Sequence, residues 1–101
     1  MAREAKEVRI EFAGFRKVDD SSMIIVRPNV ERHARKLASY AKKMVYLHLT
    51  LKTLHEREKG EIYEVKARLK DGGKIYISHA IDRNLFVAVD DALQKMQNEL
   101  D

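Results

Sequence analysis

Lys74-Ile-Tyr-Ile-Ser-His-Ala-Ile-Asp-Arg-Asn-Leu-Phe-Val-Ala-Val-Asp-Asp-Ala-Leu-Gln-Lys-Met-Gln-Asn-Glu-Leu-Asp101 is the stretch on which the fold turns. Residues 74–80 read as a strand. Residues 83–100 then carry Leu85, Val89, Ala92, Leu93, Met96 and Leu100 at helical spacing on one stripe. Asp82 is the expected N-cap, because its carboxylate can accept the first free backbone N–H groups. A helix apolar on one side must cover something, and the strand running into it points to a sheet.

Working outward, Asp71-Gly72-Gly73-Lys74 reads as a hairpin turn in which glycine supplies positive φ. Before it, residues 61–70 alternate as a strand with Tyr63, Val65, Ala67 and Leu69 inward. Residues 53–60 are polar and read as a loop. Residues 45–53 form another alternating strand, with Val45, Leu47, Leu49 and Leu51 on one face and Tyr46, His48, Thr50 and Lys52 on the other. Residues 7–13 form the first strand, with Val8, Ile10 and Phe12 inward.

Between strands one and two, residues 28–43 read as a helix with the stripe Val30, Ala34, Leu37, Ala41 and Met44. Pro28 fits its first position, where a missing N–H costs nothing. Met23-Ile-Ile-Val26 reads either as a short strand or as the first turn of a longer helix. The order is β-α-β-β-β-α over one domain, residues 1–101. The expected class is α+β: a two-layer sandwich with a four-stranded, mostly antiparallel sheet and two helices on one face.

The chain has no cysteine, so disulfide and thiolate chemistry are excluded. No apolar run approaches the ~18 residues of a membrane span, and the start lacks a signal-peptide pattern. A cytoplasmic protein with no membrane partner is expected. The net charge of +4 is unevenly spread. Within 27–43, Arg27, Arg32, Arg35, Lys36, Lys42 and Lys43 face Glu31 alone, whereas 82–101 is net acidic. That asymmetry fits either a solvated helix surface or a basic face for a polyanion.

Catalytic patterns are missing. His33, His48, His55 and His79 show no metal-ligand spacing, and no phosphate-binding glycine loop occurs. Asp90 and Asp91 point about 100° apart on a helix, which rules out carboxylate pairing between them. No enzyme activity, metal, cofactor or small-molecule substrate is expected. The basic side chains converge better: Arg32, Arg35, Lys36, Lys42 and Lys43 on helix one, and Lys52, Lys66, Arg68, Lys70 and Lys74 on the open sheet face. Tyr46 and Tyr76 are expected among the latter, where they can stack on bases or simply serve strand propensity.

The ending from Ile75 to Leu100 resembles the ribosome hibernation promoting factor / ribosome-associated inhibitor A family, also called ribosomal subunit interface or sigma-factor modulation proteins. The pattern sits on Asp82, Leu85, Phe86, Ala88, Val89, Asp90, Leu93, Lys95, Met96 and Leu100, and the Asp71-Gly72-Gly73 hairpin and element order match as well. Residues 17–27 look like an insertion relative to that family, and the short, single-domain type is implied.

The resemblance implies a translation inhibitor of resting, stressed or stationary-phase cells. Its partner would be the small ribosomal subunit with its 16S-type rRNA, near the decoding centre, where mRNA and tRNA sites are blocked. The rRNA-binding candidates are then Arg32, Arg35, Lys36, Lys42, Lys43, Lys66, Arg68, Lys70, Lys74, Arg83 and Lys95. A generic double-stranded RNA-binding module is one alternative reading. A protein-interaction module using the acidic side of the last helix is another. Self-association is left open by the sequence.

Overall fold

The computed structural model describes residues 9–56 and 58–101. Its elements are β1 (Arg9–Ala13), α1 (Asp20–Tyr40), β2 (Met44–Glu56), β3 (Gly60–Asp71), β4 (Lys74–Asp82) and α2 (Leu85–Leu100). The first two residues of the expected opening strand, 7 and 8, lie outside the described residues, and Val8 with them. The four strands form one sheet in the order β1-β2-β3-β4. β1 runs parallel to β2, and the β2–β3 and β3–β4 pairs are antiparallel. A parallel pair needs a crossover connection, which α1 supplies. The α+β sandwich expected from the sequence is the fold observed.

One core holds it together. Leu47, Leu49, Leu51, Val65, Ala67, Leu69 and Ala80 from the sheet meet Val26, Val30, Ala34 and Leu37 of α1 and Leu85, Ala88, Val89, Ala92, Leu93 and Met96 of α2. The only buried polar side chain among the described residues is Ser78. Its hydroxyl donates to the Ala92 carbonyl at 2.6 Å, which satisfies the group and ties β4 to α2.

Three expectations about the helices need correction. The first helix is not residues 28–43: it starts at Asp20, and Pro28 lies inside it. The stripe Val26, Val30, Ala34, Leu37 runs straight through the proline, so burial of that stripe outweighs the lost bond. The orphaned carbonyl is that of Ile24, on an exposed stretch open to solvent. Met23-Ile-Ile-Val26 is therefore helix, the second of the two readings the sequence offers, and residues 20–27 form the first turns of α1. Asp19 precedes it, accepting hydroxyl bonds from Ser21 and Ser22, which hold its carboxyl below the usual range. At the other end the helix stops at Tyr40, so Lys42 and Lys43 lie in the α1–β2 connection, not on the helix.

The N-cap of α2 is Asn84, not Asp82. The Asn84 side chain accepts from Phe86 N at 2.9 Å and Val87 N at 3.2 Å, while Asp82 accepts from Asn84 N at 2.7 Å. Asn84→Ala should cost about 1 kcal/mol of stability, measurable by urea denaturation, because two first-turn donors lose their acceptor. A cost near zero would mean that water replaces the cap fully.

Register decides which residues face outward. A shift between Met44 and Tyr46 turns Val45 out to 40% exposure, against the expectation that it points inward. In β4, Tyr76 pairs with Leu69 and Ser78 with Ala67, both core positions. Tyr76 and Lys74 therefore lie on the helix-covered side of the sheet, not on its open face. Ile75, Ile77, His79 and Ile81 take the open face instead.

Candidate nucleic-acid interface

Two of the basic residues expected on helix one, Lys42 and Lys43, are joined through their main chain to the β3–β4 hairpin at one end of the sheet. The Asp71 carboxylate, at the last position of β3, accepts from the backbone N–H groups of Lys43 at 2.6 Å and Lys42 at 3.2 Å. The Lys43 carbonyl in turn accepts from Gly72 N at 2.7 Å. These bonds clamp the α1–β2 connection onto the tip of the β3–β4 hairpin. The main chain of Lys42 and Lys43 is thus held at the hairpin end where Lys70 and Lys74 flank Asp71, Lys70 on the open face of the sheet and Lys74 on the helix-covered side, with Lys36 one turn back from the end of α1. Asp71 is the only acid in 35–46 and 66–76, and it is bonded to main chain rather than to any ammonium.

Lys74 reaches back over the Tyr76 ring, with its nitrogen 5.3 Å from the ring centre. On the open face, register places Tyr46 opposite Lys70, His48 opposite Arg68, and Thr50 opposite Lys66. Arg9, absent from the sequence expectations, lies over the Tyr46 ring and also pairs with Glu11 at 3.2 Å. The sheet therefore adds Lys66, Arg68 and Lys70 as a row leading to the hairpin end. Arg35, Lys36, Lys42, Lys43 and Arg68 are exposed, and none has a carboxylate within ion-pair distance among the described residues.

The other expected contacts stand apart from this cluster. Arg32 donates to Asn29, part of a bridge in which Asn29 and His33 both contact Asp90 across the helix pair. Arg83 lies at the opposite end of the sheet, donating to Glu56 and to the Lys59 carbonyl. The Lys95 ammonium donates to the His79 carbonyl at 3.1 Å, on the outer edge of β4. These three hold structure together.

The histidines are accounted for by local pairing. His33 faces Asp90 at 3.0 Å, His79 faces Glu64 at 3.3 Å, His48 faces Glu11 at 3.6 Å and His55 faces Glu61 at 3.8 Å. Among the described residues no group of three or more His, Asp or Glu can hold a metal ion. A cleft of about 650 Å³ opens at the Arg83 end. Several of its polar groups are engaged internally: Tyr63 donates to Glu61, Arg83 to Glu56, and Asn84 caps α2. No described helix is long and apolar enough to cross a membrane.

No family model matches the chain, and no curated protein does. Solved structures do match. The N-terminal domain of Protein Y from Thermus thermophilus is similar over 94% of this chain and 96% of that one, with a TM-score of 0.69 at 14% identity. A ribosomal subunit interface protein from Coxiella burnetii is similar over 92% of this chain and 91% of that one, with a TM-score of 0.53 at 16% identity. At such identity the likeness is one of fold. It spans nearly the whole of each chain.

Proposed function

We propose that this chain is a ribosome-associated translation inhibitor that docks on the small subunit near the decoding centre and there excludes mRNA and tRNA. The observation that carries the reading is the basic end formed by Lys36, Lys42, Lys43, Lys70 and Lys74, where Asp71 fixes the main chain of Lys42 and Lys43 without an ion pair to any of the five. A fixed cluster of cations on a rigid scaffold suits a folded RNA, whose phosphates are themselves fixed. The fold shared with a ribosomal subunit interface protein supports the choice of ribosome over other RNA. Inhibition then needs no chemistry, only occupied space.

Arg35, Lys66 and Arg68 extend the grip along the neighbouring surfaces. Arg32, Arg83 and Lys95 contribute less, because each already serves an internal acceptor. This weakens the reading as a generic duplex binder, in which the start of the last helix would clamp phosphates. Arg83 stands at that point and is engaged with Glu56.

The test is co-sedimentation with purified small subunits across a salt series. Each lysine on a phosphate releases counterions, so log affinity should fall linearly with log salt, with a slope on the order of −4 for five contacts. Absence of co-sedimentation at low salt overturns the proposal. Equal affinity for a bare RNA duplex and for intact subunits transfers the protein to the generic class.

A further inference from the structure

We infer that the edge of β4 that no strand pairs among the described residues is a self-complementary surface that pairs antiparallel with β4 of a second copy of this chain. β4 ends the sheet, runs nine residues, and contains neither proline nor a register shift. Native edges are usually blunted by such features, because their unpaired N–H and C=O groups invite another strand. The two-residue turn between Asp71 and Lys74 makes that closing pair a doubly hydrogen-bonded one. Alternation then turns the main-chain groups of Tyr76, Ser78 and Ala80 toward β3, and those of Ile75, Ile77, His79 and Ile81 toward the open edge. The Lys95 ammonium on the His79 carbonyl agrees with this, since that carbonyl is free of β3.

The sequence of the strand sets the register. Centred on Ser78, Lys74 falls opposite Asp82 of the second copy at both ends. Ile75 falls opposite Ile81 of the second copy, and Ile77 opposite His79. Every facing pair is compatible, and the hydrogen-bonding rows of the two edges coincide. Neither Lys74 nor Asp82 forms an ion pair among the described residues. Ile77 and Ile81, 50% and 56% exposed, would be covered on the open face. α2 packs on both β3 and β4. Its twofold mate would therefore lie on the same side of the joined sheet, next to α2. Lys95 guards the edge in the monomer and must release His79 for the strands to join. The inference rests on the β4 edge and the α2 residue beside it, and its test reads self-association without ribosomes.

Sedimentation velocity over a concentration series tests it. An interface this small should give a weak, concentration-dependent dimer. Lys74→Glu and Asp82→Lys, each alone, place like charges opposite at both ends and should weaken the dimer about tenfold or more. An equimolar mixture of the two variants restores both opposite-charge pairs and should restore the dimer as a heterodimer. Lys95→Met, which frees the His79 carbonyl without touching either charge, should tighten the wild-type dimer several-fold and serves if Asp82→Lys fails to fold. A wild-type chain that stays monomeric at millimolar concentration overturns the inference. So does a dimer indifferent to all three changes, or one captured only by an unrelated strand peptide.

Discussion

Lys42→Gln, Lys43→Gln and Lys70→Gln combined should lower affinity for small ribosomal subunits by about 10²- to 10³-fold, with the fold unchanged. Each of these ammoniums leaves a surface where no acid stands except Asp71, and Asp71 is bonded to backbone. Neutralising them therefore removes phosphate contacts and little internal bonding. Each lost phosphate contact costs on the order of tenfold in affinity and flattens the salt slope by about one. Stability should move by less than about 0.5 kcal/mol per site, because the side chains lie at the surface. Glutamine rather than glutamate avoids new repulsion against Asp71. Lys17→Gln with Lys59→Gln, at the acidic end near Glu56, Glu58 and Asp19, is the control and should leave binding unchanged. An unaltered salt slope in the triple variant would place the grip elsewhere. An equal loss in the control would mean that net charge, not the cluster, carries binding.

The same cluster shows where sequence reading stops. Alternation in β2 and β3 and the stripe of α2 are period-2 and period-3.6 patterns over long runs, and the observed elements follow them. Pro28 misled because it is a strong local signal. The counter-signal, a stripe from Val26 to Leu37 at unbroken helical spacing, was present in the same residues. In β4 the more apolar row, Ile75-Ile77-Ile81, is the exposed one. Local hydrophobicity thus assigns the faces backwards. The two-residue turn would have settled it: with Leu69 inward, its hairpin partner Tyr76 must be inward too. The meeting of Lys42 and Lys43 with the hairpin was not legible at all. It depends on bonds from Asp71 to main chain 28 and 29 residues away, and such contacts leave no periodic trace.

Gly14→Ala should destabilise the chain by about 3 kcal/mol or more, which is a large share of the 5–15 kcal/mol typical of a native domain. Gly14 has φ +84, and an added Cβ would stand 2.1 Å from the backbone carbonyl oxygen of Leu51. That atom belongs to β2, so relief requires a strand to move rather than a side chain to swing. The position matters because Gly14 is where β1 releases the chain toward α1. The turn drives Phe15 into the core, edge-on to Phe12 with ring centres 5.2 Å apart, and the Phe15 carbonyl then accepts from Val18 N. Loosening it frees the entry to α1 and, through α1, the connection that carries Lys42 and Lys43. Gly60→Ala provides the internal comparison. Gly60 has nearly the same φ, +85, with nothing within 4 Å of an added Cβ. Its cost should be only the left-handed backbone penalty, about 1 kcal/mol. The difference between the two variants in urea denaturation isolates the steric contact with Leu51. Equal costs would mean that β2 yields freely at that point, and that the β1–α1 corner does not anchor the basic end.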